Sequence, residues 1–185
     1  MSAPTSGSEP SPAHSKGARW RSRLVAAMRD LVILMALVTA IGAWQNRALL
    51  SRGSSMPDFS FATTDHQVVS AESLRGKKTM MVVWAPWCGV CKVESPNVSR
   101  VHRWMGEGSN VVSLAIGYRD YASVSEFMRA RSVDYPVLLG DEEIEDALQI
   151  ARLPTIYFFD KEGRVTFRTS GYTTTLGLLV RLWLS

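Results

Sequence analysis

Cys88 and Cys91 are the only cysteines in 185 residues, and just Gly89 and Val90 lie between them. A bond between neighbours so close restrains an unfolded chain very little. The pair therefore reads as chemistry rather than as a staple. Two chemistries suit Cys-x-x-Cys spacing: half of a zinc site, or reversible thiol–disulfide exchange. Zinc needs two further ligands, yet there is no third cysteine, and His14, His66 and His102 show no paired ligand spacing. No metal site is expected, and exchange is the better reading.

Exchange also explains the neighbourhood. Cys88 follows an apolar run and Pro86-Trp87, at the point where a helix is expected to begin. The unpaired N–H groups and positive end of a helix dipole favour thiolate over thiol. A lowered pKa makes Cys88 the nucleophile and the better leaving group, while Cys91, one turn on and more buried, resolves the mixed disulfide. Trp84, at the end of the apolar run, reads as core, and Trp87 as a contact for a partner. Pro154, in Leu153-Pro154-Thr155, read by itself is an ordinary edge or loop proline.

The elements that must hold these residues alternate between β-rich and helical patterns. Phe59 to Thr63, Val68 to Ser70, the apolar and central Thr79 to Trp84, Val111 to Gly117 and Val137 to Leu139 read as strands. Helices are expected over Cys88 to Met105, Val124 to Arg131, Glu142 to Ile150 and Leu176 to Leu184. Thr155 to Phe159 and Val165 to Thr169, joined by Asp160-Lys161-Glu162-Gly163, read as a β-hairpin. That order predicts an α/β architecture with a sheet of mixed strand direction.

Upstream the composition changes. Residues 1–23 are poor in large apolar side chains at first and then basic, and read as a disordered cytoplasmic tail. Residues 24–50 carry the uncharged run Leu31 to Trp44 and read as a signal-anchor transmembrane segment, with the charges of Arg29 and Arg47 reaching opposite headgroup layers. A cleaved signal peptide is the rival, with a late start and no clear Ala-x-Ala site against it. Basic residues are denser before the run than after it, so the positive-inside rule puts the amino-terminal side in the cytoplasm. Residues 51–55, Ser-Arg-Gly-Ser-Ser, read as a flexible linker, and 56–185 as the globular domain. The net charge of +4 and pI near 9.3 owe much to the basic residues before the span, and no nucleic-acid signature is present.

The segment Trp84-Ala85-Pro86-Trp87-Cys88-Gly89-Val90-Cys91-Lys92-Val93-Glu94-Ser95-Pro96 resembles the active site of the thioredoxin superfamily. The likeness is to its membrane-anchored periplasmic branch of ResA-like, TlpA-like and cytochrome c maturation proteins. Met56-Pro57-Asp58-Phe59 resembles the opening of those domains, and Leu153-Pro154-Thr155 falls where they carry a cis-proline. The closing Thr169 to Thr173 and Gly177 to Trp183 are similar to the suppressor of copper sensitivity D group.

The resemblance implies a thioredoxin-like fold, a central mixed β-sheet flanked by helices. It implies Cys88 as nucleophile, Cys91 as resolving thiol, and Pro154, with Leu153 and Trp87, as the surface for partner backbone. Glu94 matches an acidic position linked to proton handling near the buried thiol, although an exposed carboxylate favoured by the helix dipole fits that position equally well. The implied partners are disulfide-bearing extracytoplasmic proteins, with a membrane thiol transporter as electron donor, at a single-pass site in a bacterial inner membrane with the catalytic domain in the periplasm. No cofactor is implied. Gly89-Val90 is neither the Gly-Pro of reducing thioredoxins nor the Pro-His of a strong oxidant, which leaves the direction of electron flow open. Copper binding or delivery is the alternative function, since thiolates favour Cu(I). Keeping apocytochrome cysteines reduced would use the same residues on another substrate.

Overall fold

The structure, a computed structural model, describes residues 16–45, 47–65 and 67–185. His14, His66 and the first fifteen residues of the expected tail lie outside the described residues. The chain divides into two units, Met1–Ala43 and Trp44–Ser185.

The first unit is most of a single helix, α1 (Lys16–Gln45), 30 residues long and so about 45 Å from end to end. Its stretch Arg23–Gly42 is long and apolar enough to cross a membrane, and its window is wholly unburied by the protein itself. Arg29 and Asp30 pair at 2.9 Å within the first half of that stretch. The helix corrects the expected tail from Lys16 onward. Residues 16–23 are helical because Ala18, Arg19, Arg21 and Arg23 are good helix formers that continue the helix rather than oppose it.

The second unit is built on seven strands: β1 (Ser60–Thr63), β2 (Val68–Ser70), β3 (Thr79–Trp84), β4 (Asn110–Ala115), β5 (Val137–Leu139), β6 (Thr155–Phe159) and β7 (Val165–Ser170). They form one sheet in the order β2-β1-β5-β4-β3-β6-β7. β3, β4 and β5 run parallel, while β6 and β7 on one flank and β1 and β2 on the other are antiparallel. β3 is buried along its whole length, as expected of a strand with parallel character covered on both faces. Met81 and Val83 point to one face with Phe61, Leu114, Tyr157 and Phe159. Met80 and Val82 point to the other with Ile156 and Phe158. That second face is covered by α2 (Gly89–Met105) through Val98 and Val101, and by α5 (Thr175–Leu184) through Leu178 and Leu182. α3 (Tyr121–Arg131) follows β4, and α4 (Glu142–Ala147) is shorter than its expected reach to Ile150, turning at Gln149 with φ +53°.

Two expected boundaries are corrected here. The segment expected to span over 24–50 does not reach residue 50: Leu49 and Leu50 are buried in the core with Tyr157 and Phe159. The Leu50 N–H donates to the Tyr157 hydroxyl at 3.2 Å, and the Arg168 guanidinium donates to the carbonyls of Leu49 and Leu50. The Ser-Arg-Gly-Ser-Ser stretch, read as a flexible linker, lies against β7. Gly53 N–H donates to the Val165 carbonyl (2.8 Å), Val165 N–H to the Ser54 carbonyl (2.9 Å), and Ser55 bridges Arg164. The reason is that polar composition signals flexibility only when the backbone has nowhere to pair, and an edge strand offers unpaired N–H and C=O groups.

Candidate active site

The site forms where β3 ends and α2 begins. Cys88 caps α2, its sulfur accepting the Cys91 N–H at 3.1 Å. Cys88 and Cys91 are joined as a disulfide with Cα atoms 5.3 Å apart. Both are buried, Cys91 the more deeply, in a cluster with Trp84, Ala115, Val124 and Phe127. A sulfur held at a helix amino terminus has its thiolate stabilised once the bond is reduced.

Trp87 is 69 % exposed and is held by its own indole, whose N–H donates to the Gly117 carbonyl at 2.9 Å. Gly117 has φ +54°, and a Cβ there would lie 3.5 Å from the Trp87 ring nitrogen, so the turn and the indole shape each other. Beside them runs a groove of about 550 Å³, bounded by Pro86, Trp87, Lys92, Tyr118, Phe127 and Arg131. Trp84 is buried and stacks on Phe127 with centroids 4.0 Å apart.

Pro154 arrives from the start of β6, and the Leu153–Pro154 peptide bond is cis. Pro154 is buried and lines a narrow cavity with Cys91. Leu153 is half-buried and packs against apolar groups on both sides, so less of it than of Trp87 is open to a partner.

Glu94 is the most informative side chain behind the disulfide. It is 1 % exposed, which removes the reading of an exposed first-helix carboxylate. One carboxylate oxygen accepts the Thr173 N–H at 2.8 Å, and the other has no hydrogen-bond partner among the described residues. Burial pushes the Glu94 carboxyl up to about 7, with the Thr173 hydrogen bond pulling it partly back. Glu94, Cys91, Ser95, Tyr135 and Pro154 share one cavity of about 10 Å³, the size of a single water. The Ser95 and Tyr135 hydroxyls are 3.0 Å apart, and burial pushes the Tyr135 phenol up to about 12.

Several of these partners carry little signal in the sequence. Ser95 had a usable signal: with Cys91, Val98 and Val101 it falls on the helical stripe that faces the sheet. Thr173 contributes a backbone N–H, which no residue type announces. It is brought there by Asn97, whose amide nitrogen donates to the Thr173 carbonyl and the Tyr172 hydroxyl, both at 3.1 Å, while its oxygen accepts from Thr175.

The chain is similar to known proteins. Residues 51–176 match the Redoxin family model. The chain is 29 % identical over 150 residues to the thiol-disulfide oxidoreductase ResA of Bacillus subtilis, covering 77 % of this chain and 83 % of that protein. It is 28 % identical over 152 residues to the thiol:disulfide interchange protein DsbE of Pseudomonas fluorescens, covering 78 % and 81 %. Among solved structures, a thiol:disulfide interchange protein of the thioredoxin family from Chlorobium tepidum superposes with TM-score 0.64 at 25 % identity, over 73 % of this chain and 97 % of that one. A DsbE-type protein described from the same organism, at 20 % identity and TM-score 0.65 over 72 % and 99 %, shares the fold. The match runs through the helix that Cys88 caps and the strand that Pro154 opens, and the chain belongs to the Redoxin family, as a ResA/DsbE-like thiol-disulfide oxidoreductase of the thioredoxin superfamily.

Proposed function

We propose that this oxidoreductase is a membrane-anchored, extracytoplasmic reductase of protein disulfides. The observation that carries the direction is the carboxyl of Glu94 in the same narrow cavity as Cys91. A strong oxidant is made by stabilising the thiolate of the reduced form. The helix head stabilises only the Cys88 thiolate; a buried Cys91 beside a group that is itself anionic above pH 7 gains no such stabilisation, which keeps the couple away from the oxidant end of the scale and lets the dithiol give its electrons to a partner.

The exchange runs in two steps. The Cys88 thiolate attacks one sulfur of a partner disulfide, forming a mixed disulfide and releasing the partner's other sulfur as a thiolate. Cys91 then loses its proton to Glu94 and attacks the Cys88 sulfur, closing the Cys88–Cys91 bond and releasing the second partner thiolate. Two electrons have moved to the partner. A membrane-embedded thiol donor restores the dithiol by the same chemistry in reverse. Trp87 and the cis Leu153–Pro154 bond supply the surface on which the partner backbone lies.

The placement rests on α1. Lys16, Arg19 and Arg21 precede its apolar stretch and Arg23 opens it, so the positive-inside rule sends the catalytic domain across the membrane, into a compartment where disulfide chemistry operates. The direction is tested by titrating the Cys88/Cys91 couple of the full chain in detergent against defined thiol buffers. A potential of about −270 mV or below is expected, and one near −120 mV would make the protein an oxidant and end the reductase reading.

A further inference from the structure

We propose that Asn97 is a positioning residue for the second step of the exchange: it holds the turn that presents the Thr173 N–H to Glu94, and so sets how readily Glu94 takes the proton from Cys91. This rests on the role of Glu94 in that step and not on the direction of electron flow. Asn97 lies one helical turn after Glu94 on α2 and is 6 % exposed, so the two side chains leave the same face of one helix. Its amide is used in full. The nitrogen donates to the Tyr172 hydroxyl and the Thr173 carbonyl, and the oxygen accepts from Arg100 at 2.7 Å and from the Thr175 hydroxyl at 3.0 Å. These contacts engage both amide protons and both lone pairs, and a fully satisfied buried amide has one orientation.

The turn from Gly171 to Thr173 is tied at both ends. Gly171, with φ +83°, donates its N–H to the Pro154 carbonyl at 2.8 Å. Asn97 ties the other end to α2. The Thr173 N–H gives the Glu94 carboxyl its hydrogen bond, at 2.8 Å, while the second oxygen has no partner among the described residues. That N–H favours the carboxylate over the acid. It is the counterweight to burial, and no charged side chain adds to the two. The titratable groups around Glu94 are Cys91 on its own helix, Tyr135 ahead of β5, whose phenol is pushed up to about 12, and Tyr172, whose hydroxyl is engaged by Asn97. Arg100 ends on the Asn97 oxygen. β3, α3 and the cis-proline segment bring Val82, Trp84, Phe127 and Pro154 to the cavity, none of them titratable. With the Asn97 tie released, Glu94 keeps its burial and loses its N–H, so its base form is reached only at higher pH.

The test mixes the reduced full chain, in detergent, with an equimolar aromatic disulfide, dithiobis-nitrobenzoate, over a pH series. Attack by the Cys88 thiolate releases one coloured thiolate and leaves the other half of the reagent on the Cys88 sulfur. Cys91 then gives its proton to Glu94 and attacks that sulfur, closing the Cys88–Cys91 bond and releasing the second coloured thiolate. The second phase therefore times the step that Glu94 serves. In Asn97→Ala its acid limb is expected to move up by about one pH unit, the worth of one hydrogen bond to a carboxylate. In a Glu94→Gln background the same substitution is expected to leave the second phase as it was. Asn97→Ser, which also loses the amide but keeps a small polar group on the buried face, should show the same shift if circular dichroism finds Asn97→Ala unfolded. An acid limb that stays in place in a folded variant makes Asn97 scaffolding alone and overturns the inference. A shift that persists in the Glu94→Gln background also overturns it, because Asn97 would then act by another route. A second phase in Glu94→Gln alone with the rate and pH profile of the wild type removes Glu94 from the exchange. That result ends the proton-transfer step of the proposed function, and the inference with it.

Discussion

At the scale of the residue, the two sulfurs are distinguished by what surrounds them. Cys88 has the head of α2 and the exposed Trp87 beside it, and Cys91 shares a narrow cavity with Glu94. Cys91→Ser keeps the attacking thiol and removes the resolving one, so partner proteins should accumulate as adducts on Cys88, visible as reductant-sensitive bands on a non-reducing gel. Absence of any adduct in cells that contain the variant would count against exchange with proteins. Glu94 gives a prediction in pH. Its folded pKa of about 7 stands above the ordinary 4.5, so between those values the folded state binds the proton that the unfolded state has released. Stability is then fully present below about pH 4.5 and is lost as pH rises to about 7, by on the order of 3 kcal/mol. Glu94→Gln should remove that loss, and denaturant unfolding of the oxidised protein at pH 4, 6 and 8, compared with the wild type, checks it. Equal slopes for the two proteins would mean that the carboxyl is not held neutral by burial.

At the scale of the element, the strap from Leu49 to Met56 behaves as part of the sheet. It shields the β7 edge through the Gly53, Ser54 and Ser55 pairings and seats Leu49 and Leu50 on the Tyr157 side of the core. Leu49→Ala should therefore cost about 2–5 kcal/mol, the range for a truncated core leucine, measured by chemical denaturation. A free tether would make the same change nearly neutral. The same element logic explains Thr173. The turn before α5 is tied to α2 by Asn97, and that tie delivers the N–H that Glu94 accepts.

At the scale of the whole molecule, the question is which side of a membrane carries the chemistry. On the proposed topology, a membrane-impermeant maleimide added to intact spheroplasts after mild reduction should label Cys88 without permeabilisation. Labelling that appears only after detergent would place the domain on the cytoplasmic side. Cys88 is the reporter of choice because it is the less buried of the pair and adjoins the open indole of Trp87.

Much of this protein was legible in its residues. The isolated Cys-x-x-Cys, the apolar run of β3 before it and the alternation of strand and helix patterns are local signals, and periodicity and spacing carry them without knowledge of the fold. The helix that Cys88 caps and the β6–β7 hairpin appear where those signals put them. What needed tertiary structure was everything set by burial or by a distant backbone. Leu49 and Leu50 look like the tail of an apolar span until a sheet face is there to receive them. Ser-Arg-Gly-Ser-Ser looks flexible until the edge of β7 offers it partners. Glu94 carries the same carboxyl whether it faces water or the protein interior, and only the packing of α2 on the sheet decides that it is buried in one cavity with Cys91, because desolvation belongs to the surroundings of a residue and not to its type.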